Sequence, residues 1–169
     1  YLQSLHIKGN QIRFDTPYFV SPEWSQAHSK SILAAGDVLI VQTGDIGQVA
    51  CVSEEFAGCN CHALIIVSPI QDVVLGSWCS LVLSSSFGTS NLLSIQTGAL
   101  HPHLNCGNVR DLVLPVPPLD EQRAVLNWIS QKVASFDKLT TDAHQAVDLL
   151  RERRSALIAA AVTGQIDVR

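Results

Sequence analysis

Few side chains in this sequence are spaced for covalent or metal chemistry. Cys59, Cys61 and His62 form a CxCH cluster of donors that suit zinc. No second pair at finger-like spacing accompanies them, so they read as small, half-buried residues beside a strand. His101-Pro102-His103 brings two imidazoles together, but an isolated pair in a polar loop reads as a surface feature. Asp37 and Asp45 flank an apolar run as an acidic pair would, and turn chemistry explains each of them. Gly44-Asp45-Ile46-Gly47 has two glycines and no following Lys-Ser/Thr, and neither G-x-G-x-x-G nor G-x-S-x-G occurs. The expectation is a chain with no catalytic residue, no metal site and no cofactor of its own.

Recognition suits these residues better. Gln42, Thr43, Asn60, Gln96, Thr97, His101, His103 and Asn105 carry the donors and acceptors that read base edges, while Lys8, Arg13, Lys30 and Arg110 can meet phosphates. Charge argues the other way. Residues 1–114 hold those four basic residues against eight acidic ones (Asp15, Glu23, Asp37, Asp45, Glu54, Glu55, Asp72 and Asp111), which accounts for the whole net charge of −4. The remainder balances at seven against seven. A chain that grips DNA alone by neutralising phosphates would be more basic.

The elements that position these residues change character near Pro115. Before it, short β-rich runs alternate with turns. Leu2–Ile7 predicts a strand, Gly9-Asn10 a turn, and Ile12–Phe14 the return. Val38–Thr43 and Gly47–Val52 predict a second hairpin around Gly44-Asp45. Ala63–Val67 is a third apolar run, closed by Ser68-Pro69. Val73, Val74, Ser77, Trp78, Leu81 and Val82 share one helical face. Ser84–Thr89 reads as a loop, Asn91–Gly107 as a long polar loop or irregular edge, and Leu112–Leu114 as a last short strand.

Pro115-Val116-Pro117-Pro118 then precedes a stretch without Pro or Gly from Leu119 to Thr163. Asp120 and Glu121 suit a helix start, Arg151, Arg153 and Arg154 its later turns, and Gly164 its stop. Leu126, Ile129, Val133, Phe136, Thr140, Ala143, Val147, Leu150, Arg154, Leu157 and Ala161 recur at alternating spacings of three and four. That is a coiled-coil seam with two polar breaks. A seam so long cannot be buried on a domain of this size, so it needs a partner helix. The alternative is a hairpin folded back at Asp137–Asp142, whose composition is weak for a turn.

The fold class expected is α+β: a mixed or antiparallel β-rich domain over residues 1–117, then one long coiled-coil helix over 118–169. Five cysteines, an odd number without a CxxC pair, fit reduced thiols in a cytoplasm. No apolar run is long enough for a membrane span. The chain opens on Tyr1 and contains no Met, so an N-terminal piece is expected to be missing.

Two segments carry a family resemblance. LVLPVPPLDEQRAVLNWI (Leu112–Ile129) and LLRERRSALIAAAVTGQIDVR (Leu149–Arg169) resemble the conserved region of type I restriction-modification specificity (S) subunits. There a proline stretch ends a target recognition domain and launches a long helix. GDVLIVQTGDIGQVACV (Gly36–Val52), IQTGALHPHLNCGNVRDLVLP (Ile95–Pro115) and Tyr1–Ile12 resemble other family segments. The resemblance is very specific in the last 55 residues and moderate before them.

It implies a non-catalytic subunit whose recognition domain reads one half of a split site in double-stranded DNA. Its helices act as a ruler and dock methyltransferase subunits. S-adenosylmethionine belongs to those partners, and ATP with Mg²⁺ to a restriction subunit that can join them. One recognition domain and one helix imply a half-length subunit or a fragment. Either would pair most simply with an antiparallel copy of itself, giving a homodimer and a palindromic split target. The departures are the missing opening segment and the acidic recognition part, which implies that methyltransferase partners supply much of the phosphate contact. Two other readings stay open: a dimerisation scaffold without DNA readout, and a metal-dependent nuclease built on the Cys/His cluster.

Overall fold

A computed structural model describes residues 1–166. Asp167, Val168 and Arg169, the close of the expected C-terminal region, lie outside the described residues. The chain divides into two compact units, Tyr1–Ala124 and Val125–Arg169.

The first unit is built on a three-stranded antiparallel sheet. Of its strands β1 (Leu2–Gln3), β2 (Ile7–Lys8), β3 (Gln11–Ile12), β4 (Val38–Val41), β5 (Val49–Cys51), β6 (Cys61–His62) and β7 (Leu64–Val67), the central sheet takes β5-β4-β7 in that order. Val38 to Val41 are all buried because β4 is covered on both faces. Successive side chains alternate. Val38, Ile40, Val49 and Ile65 face Cys79, Leu83, Leu92, Leu104 and Val109. Leu39, Val41 and Ala50 face Leu2, Ile7, Leu33 and Cys61.

The second hairpin forms as expected, with Ile40 opposite Val49 and Val38 opposite Cys51, although the ladder stops short of the loop Gln42–Gln48. The first hairpin is tighter. Gly9 and Asn10 both have positive φ, 60° and 58°, which makes the two-residue turn that matches strand twist. The single strand expected over Leu2–Ile7 is broken by a 3₁₀ turn, Ser4–His6, and β1 pairs in parallel with β6. Helix α1 (Pro22–Ala27) was not anticipated, although Ser21 caps it and Pro22 opens it.

The helical layer departs further from expectation. Helix α2 (Gly76–Ser84) starts later than Val73, because Leu75 takes the cap position. The expected loop at Ser84–Thr89 is instead the start of helix α3 (Ser86–Ser94), capped by the Ser85 hydroxyl, which accepts from the Gly88 amide at 3.2 Å. Gly88 lets the two helices meet, since a Cβ there would fall on the Val82 carbonyl and the Leu83 backbone. Helix α4 (Cys106–Arg110) closes the expected polar loop. Leu112–Leu114 is not a strand: Leu112 and Leu114 pack on the core and Val113 faces out, but no neighbouring strand bonds to them.

Helix α5 (Leu119–Val162) runs 44 residues without interruption, about 66 Å at 1.5 Å per residue. Its first turn, Leu119 to Ala124, belongs to the first unit. The alternative hairpin at Asp137–Asp142 is excluded, since that stretch is helical throughout. Gly164, at φ 71°, ends the helix in a left-handed cap, with the Gln165 amide donating to the Ala160 carbonyl at 2.8 Å.

Candidate nucleic-acid interface

Three segments converge at the loop end of the β4–β5 hairpin. The first is the loop Gln42–Gln48, shaped by Gly44 and Gly47 at φ 81° and 100°. The second is Thr97–His103, a closed loop whose ends pair: the Thr97 amide donates to the His103 carbonyl at 2.9 Å, and the His103 amide returns the bond at 2.8 Å. It docks on the first, since the Leu104 amide donates to the Gln42 carbonyl at 2.9 Å and Thr43 bridges His103. The third is the end of α3, which brings in Leu93. Thr43, Asp45, Ile46, Gln96, Leu100 and His101 line the hollow between them, about 560 Å³ in volume.

Within this cluster the predicted residues divide by task. Thr43, Gln96 and His101 face the hollow. Thr97 and His103 hold the loop: the imidazole Nε2 lies 3.2 Å from the Thr97 hydroxyl, and Nδ1 lies 3.3 Å from the His101 carbonyl. Asn105 caps α4, its Oδ1 accepting from the Asn108 amide at 2.8 Å. Leu100, which sequence reasoning passed over, stands 89% exposed at the loop tip. Its surroundings could have flagged it: Gly98 at φ 93° and Pro102 make a tight loop that leaves its middle residues outside.

The other predicted residues lie apart from the hollow. Asn60 is 2% exposed and belongs to the interior, its Nδ2 donating to the His28 carbonyl at 3.2 Å and the Ser31 hydroxyl at 3.0 Å. As placed it has no free donor for a base edge, which corrects the expectation for it. Lys8 and Arg13 lie at the β2–β3 hairpin, whose Asn10 is bonded to Gln48 and Val49 beside the first loop. Lys8 comes within 4.0 Å of Asp15, and Arg110 pairs with Asp111 at 3.2 Å. Lys30 sits on the 3₁₀ turn Ser29–Ser31. Arg13 and Lys30 make no ion pair among the described residues.

Cys61 is buried on β6, and burial, with the Asp37 carboxylate adding, pushes its thiol up to about 11. Burial raises the Cys51 and Cys79 thiols as well. No group of three His, Cys, Asp or Glu side chains among the described residues is placed to hold a metal. Asp37 and Asp45 stand at opposite ends of β4, and the Asp37 carboxylate accepts from the Ala34 amide at 2.8 Å, as a turn residue does.

In the second unit the seam lies open. Val133, Phe136, Val147, Leu150 and Leu157 are all exposed, Phe136 at 65% and Leu150 at 63%. Leu126, Ile129 and Ala161 are half-buried, and Ala143 is exposed.

Residues 9–148 match the family described as type I restriction modification DNA specificity domain. The chain belongs to that family. It is 20% identical over 147 residues to the type I restriction enzyme EcoBI specificity subunit of Escherichia coli, a match over 87% of this chain and 31% of that protein. The chain thus spans about a third of that relative. The fold is shared with the HsdS subunit from Thermoanaerobacter tengcongensis at a TM-score of 0.65 and 21% identity, over 88% of this chain and 40% of that one. A structure described under complex assembly and conformational transition of the type I R-M system aligns at 0.62 and 20% identity, over 94% and 37%.

Proposed function

We propose that this chain is the DNA sequence-specificity subunit of a type I restriction-modification complex, in half-length form or as a fragment with one target recognition domain. It reads one half of a bipartite target in double-stranded DNA, works in the cytoplasm and is not itself an enzyme. Methyltransferase subunits dock on it and bring S-adenosylmethionine; a restriction subunit, with ATP and Mg²⁺, completes the larger assembly. The observation that carries this reading, within the family, is the hollow lined by Thr43, Gln96 and His101. Two stretches distant in sequence, the loop Gln42–Gln48 and the run from Leu93 to His103, meet there and bring Thr43, Gln96 and His101 together.

The helix supports the rest. Its open seam suits an antiparallel second copy, which gives a homodimer and a palindromic split site. Beside the seam the helix also exposes Trp128, Leu139, Leu149 and Ile158, set among charged residues such as Lys132, Asp142 and Arg153. Exposed apolar residues beyond a two-helix seam support a further protein contact, as methyltransferase docking requires.

Selection of DNA from a random pool by the chain, alone and with a methyltransferase subunit, tests the reading. Gln96→Ala and His101→Ala should lose the selected half-site while the dimer mass in solution stays unchanged. The acidity of the recognition part favours a second reading, a dimerisation scaffold without DNA readout of its own. That reading stands if both substitutions leave selection untouched.

A further inference from the structure

Gln122 sits at the start of α5 with its side chain fully buried. Both ends of its amide are engaged. Oε1 accepts from the Leu75 amide at 2.9 Å, and Nε2 donates to the Val73 carbonyl at 3.0 Å and the Pro117 carbonyl at 2.7 Å. Leu75 is the cap residue of α2, so one glutamine ties the first turn of α5, the proline segment and the start of α2 together. Trp78, on α2, adds a second tie, its Nε1 donating to the Pro115 carbonyl at 2.8 Å.

None of this is required for a helix to form. Asp120 and Glu121 already suit the helix N-terminus, and a leucine or methionine would fill the same space. A buried amide is costly unless every bond is made, and when every bond is made it admits one arrangement. Gln122 therefore specifies where the helix begins within the recognition domain.

We propose that Gln122 is a positioning residue for target spacing: by seating the first turn of α5 in the recognition domain, it fixes the origin from which the helix measures the distance to the other half-site. The inference rests on the DNA-reading function proposed above. DNA is a demanding gauge, because one added base pair shifts the far half-site by roughly 3.4 Å and turns it by roughly 35°. A helix start free to shift would accept several spacers.

The test is selection by the full chain from DNA carrying two copies of its selected half-site, separated by spacers of varied length. The wild type should favour one spacer over its neighbours by roughly tenfold, the scale of one mismatched position. Gln122→Leu removes all three side-chain bonds. Trp78→Phe keeps one aromatic ring and removes the indole N–H donor, and decides the matter if Gln122→Leu does not fold. Folded variants should keep the half-site sequence and the dimer mass but favour the best spacer by less than about threefold.

A folded Gln122→Leu that keeps the full spacer preference overturns the proposal. So does a folded Trp78→Phe that loses half-site and spacer preference together, since that is a merely structural role. A wild-type chain that selects a half-site but no spacer overturns this inference alone. A wild-type chain that selects no half-site overturns the DNA-reading function, and this inference falls with it.

Discussion

Cys61 and Cys106 carry the same thiol in opposite surroundings. Cys61 is buried with its thiol pushed up to about 11 from an ordinary 9.0, while Cys106 is exposed at the start of α4. Alkylation at neutral pH followed by mass spectrometry should therefore label Cys106 first and leave Cys61 unmodified until the chain unfolds. The raised value also fixes a pH dependence. The fold favours the protonated thiol, so the stability it contributes is complete below pH 9 and is lost as pH climbs from 9 through 11. Melting temperatures across that window should fall, and Cys61→Ser should not remove the whole decline, because burial raises Cys51 and Cys79 too.

Asn60 gives a second residue-scale outcome. Asn60→Ala removes two side-chain hydrogen bonds, to the His28 carbonyl and the Ser31 hydroxyl, and at about 0.5–1.5 kcal/mol per bond should cost about 1–3 kcal/mol in chemical denaturation. DNA selection by the folded variant should not change. Nothing in Gly58-Cys59-Asn60-Cys61 announces this role. The partners of Asn60 lie about thirty residues upstream, and a polar residue in a turn looks the same whether it faces water or another turn. The exposure of His101 and Gln96 was legible for the opposite reason, since they stand in a segment too polar to be core.

At the scale of elements, local signals sufficed where they were strong. The proline segment, Asp120-Glu121 and Gly164 marked both ends of α5 to within a residue, and the two glycine-bearing hairpins formed where expected. They failed where packing overrode composition. Ser-Phe-Gly-Thr-Ser-Asn-Leu-Leu-Ser is rich in loop formers, yet it folds as α3 because Leu92 is driven into the core and Ser85 caps the turn. Leu112–Leu114 alternates like a strand, but Pro115 follows at once and no strand lies beside it to pair with. The α2–α3 corner can be checked directly. Gly88→Ala would push a methyl group into the Val82 and Leu83 backbone and should cost about 1–3 kcal/mol. On α5, Leu150→Asp places a charge on the seam and should shift the chain toward the monomer in sedimentation, with the melting of the globular unit unchanged.

For the molecule as a whole, charge sets the expected mode of binding. Residues 1–114 carry −4, and two of their four basic residues already lie near carboxylates. The isolated chain should bind its site weakly and with a shallow dependence on salt, because few phosphates are neutralised. Adding a methyltransferase subunit should steepen that dependence. Tight binding by the chain alone with a steep salt slope would contradict the division of labour proposed between specificity and affinity.

The bare seam of α5 also bears on the chain before assembly. Phe136, Leu139, Leu149 and Leu150 are each at least 60% open to water, on a rod that no other described part of its own unit shields. A surface of that kind attracts chaperones and proteases until a second helix covers it. Surplus copies that find no mate would be the ones removed, which would tie the abundance of the protein to that of the assembly partners proposed above.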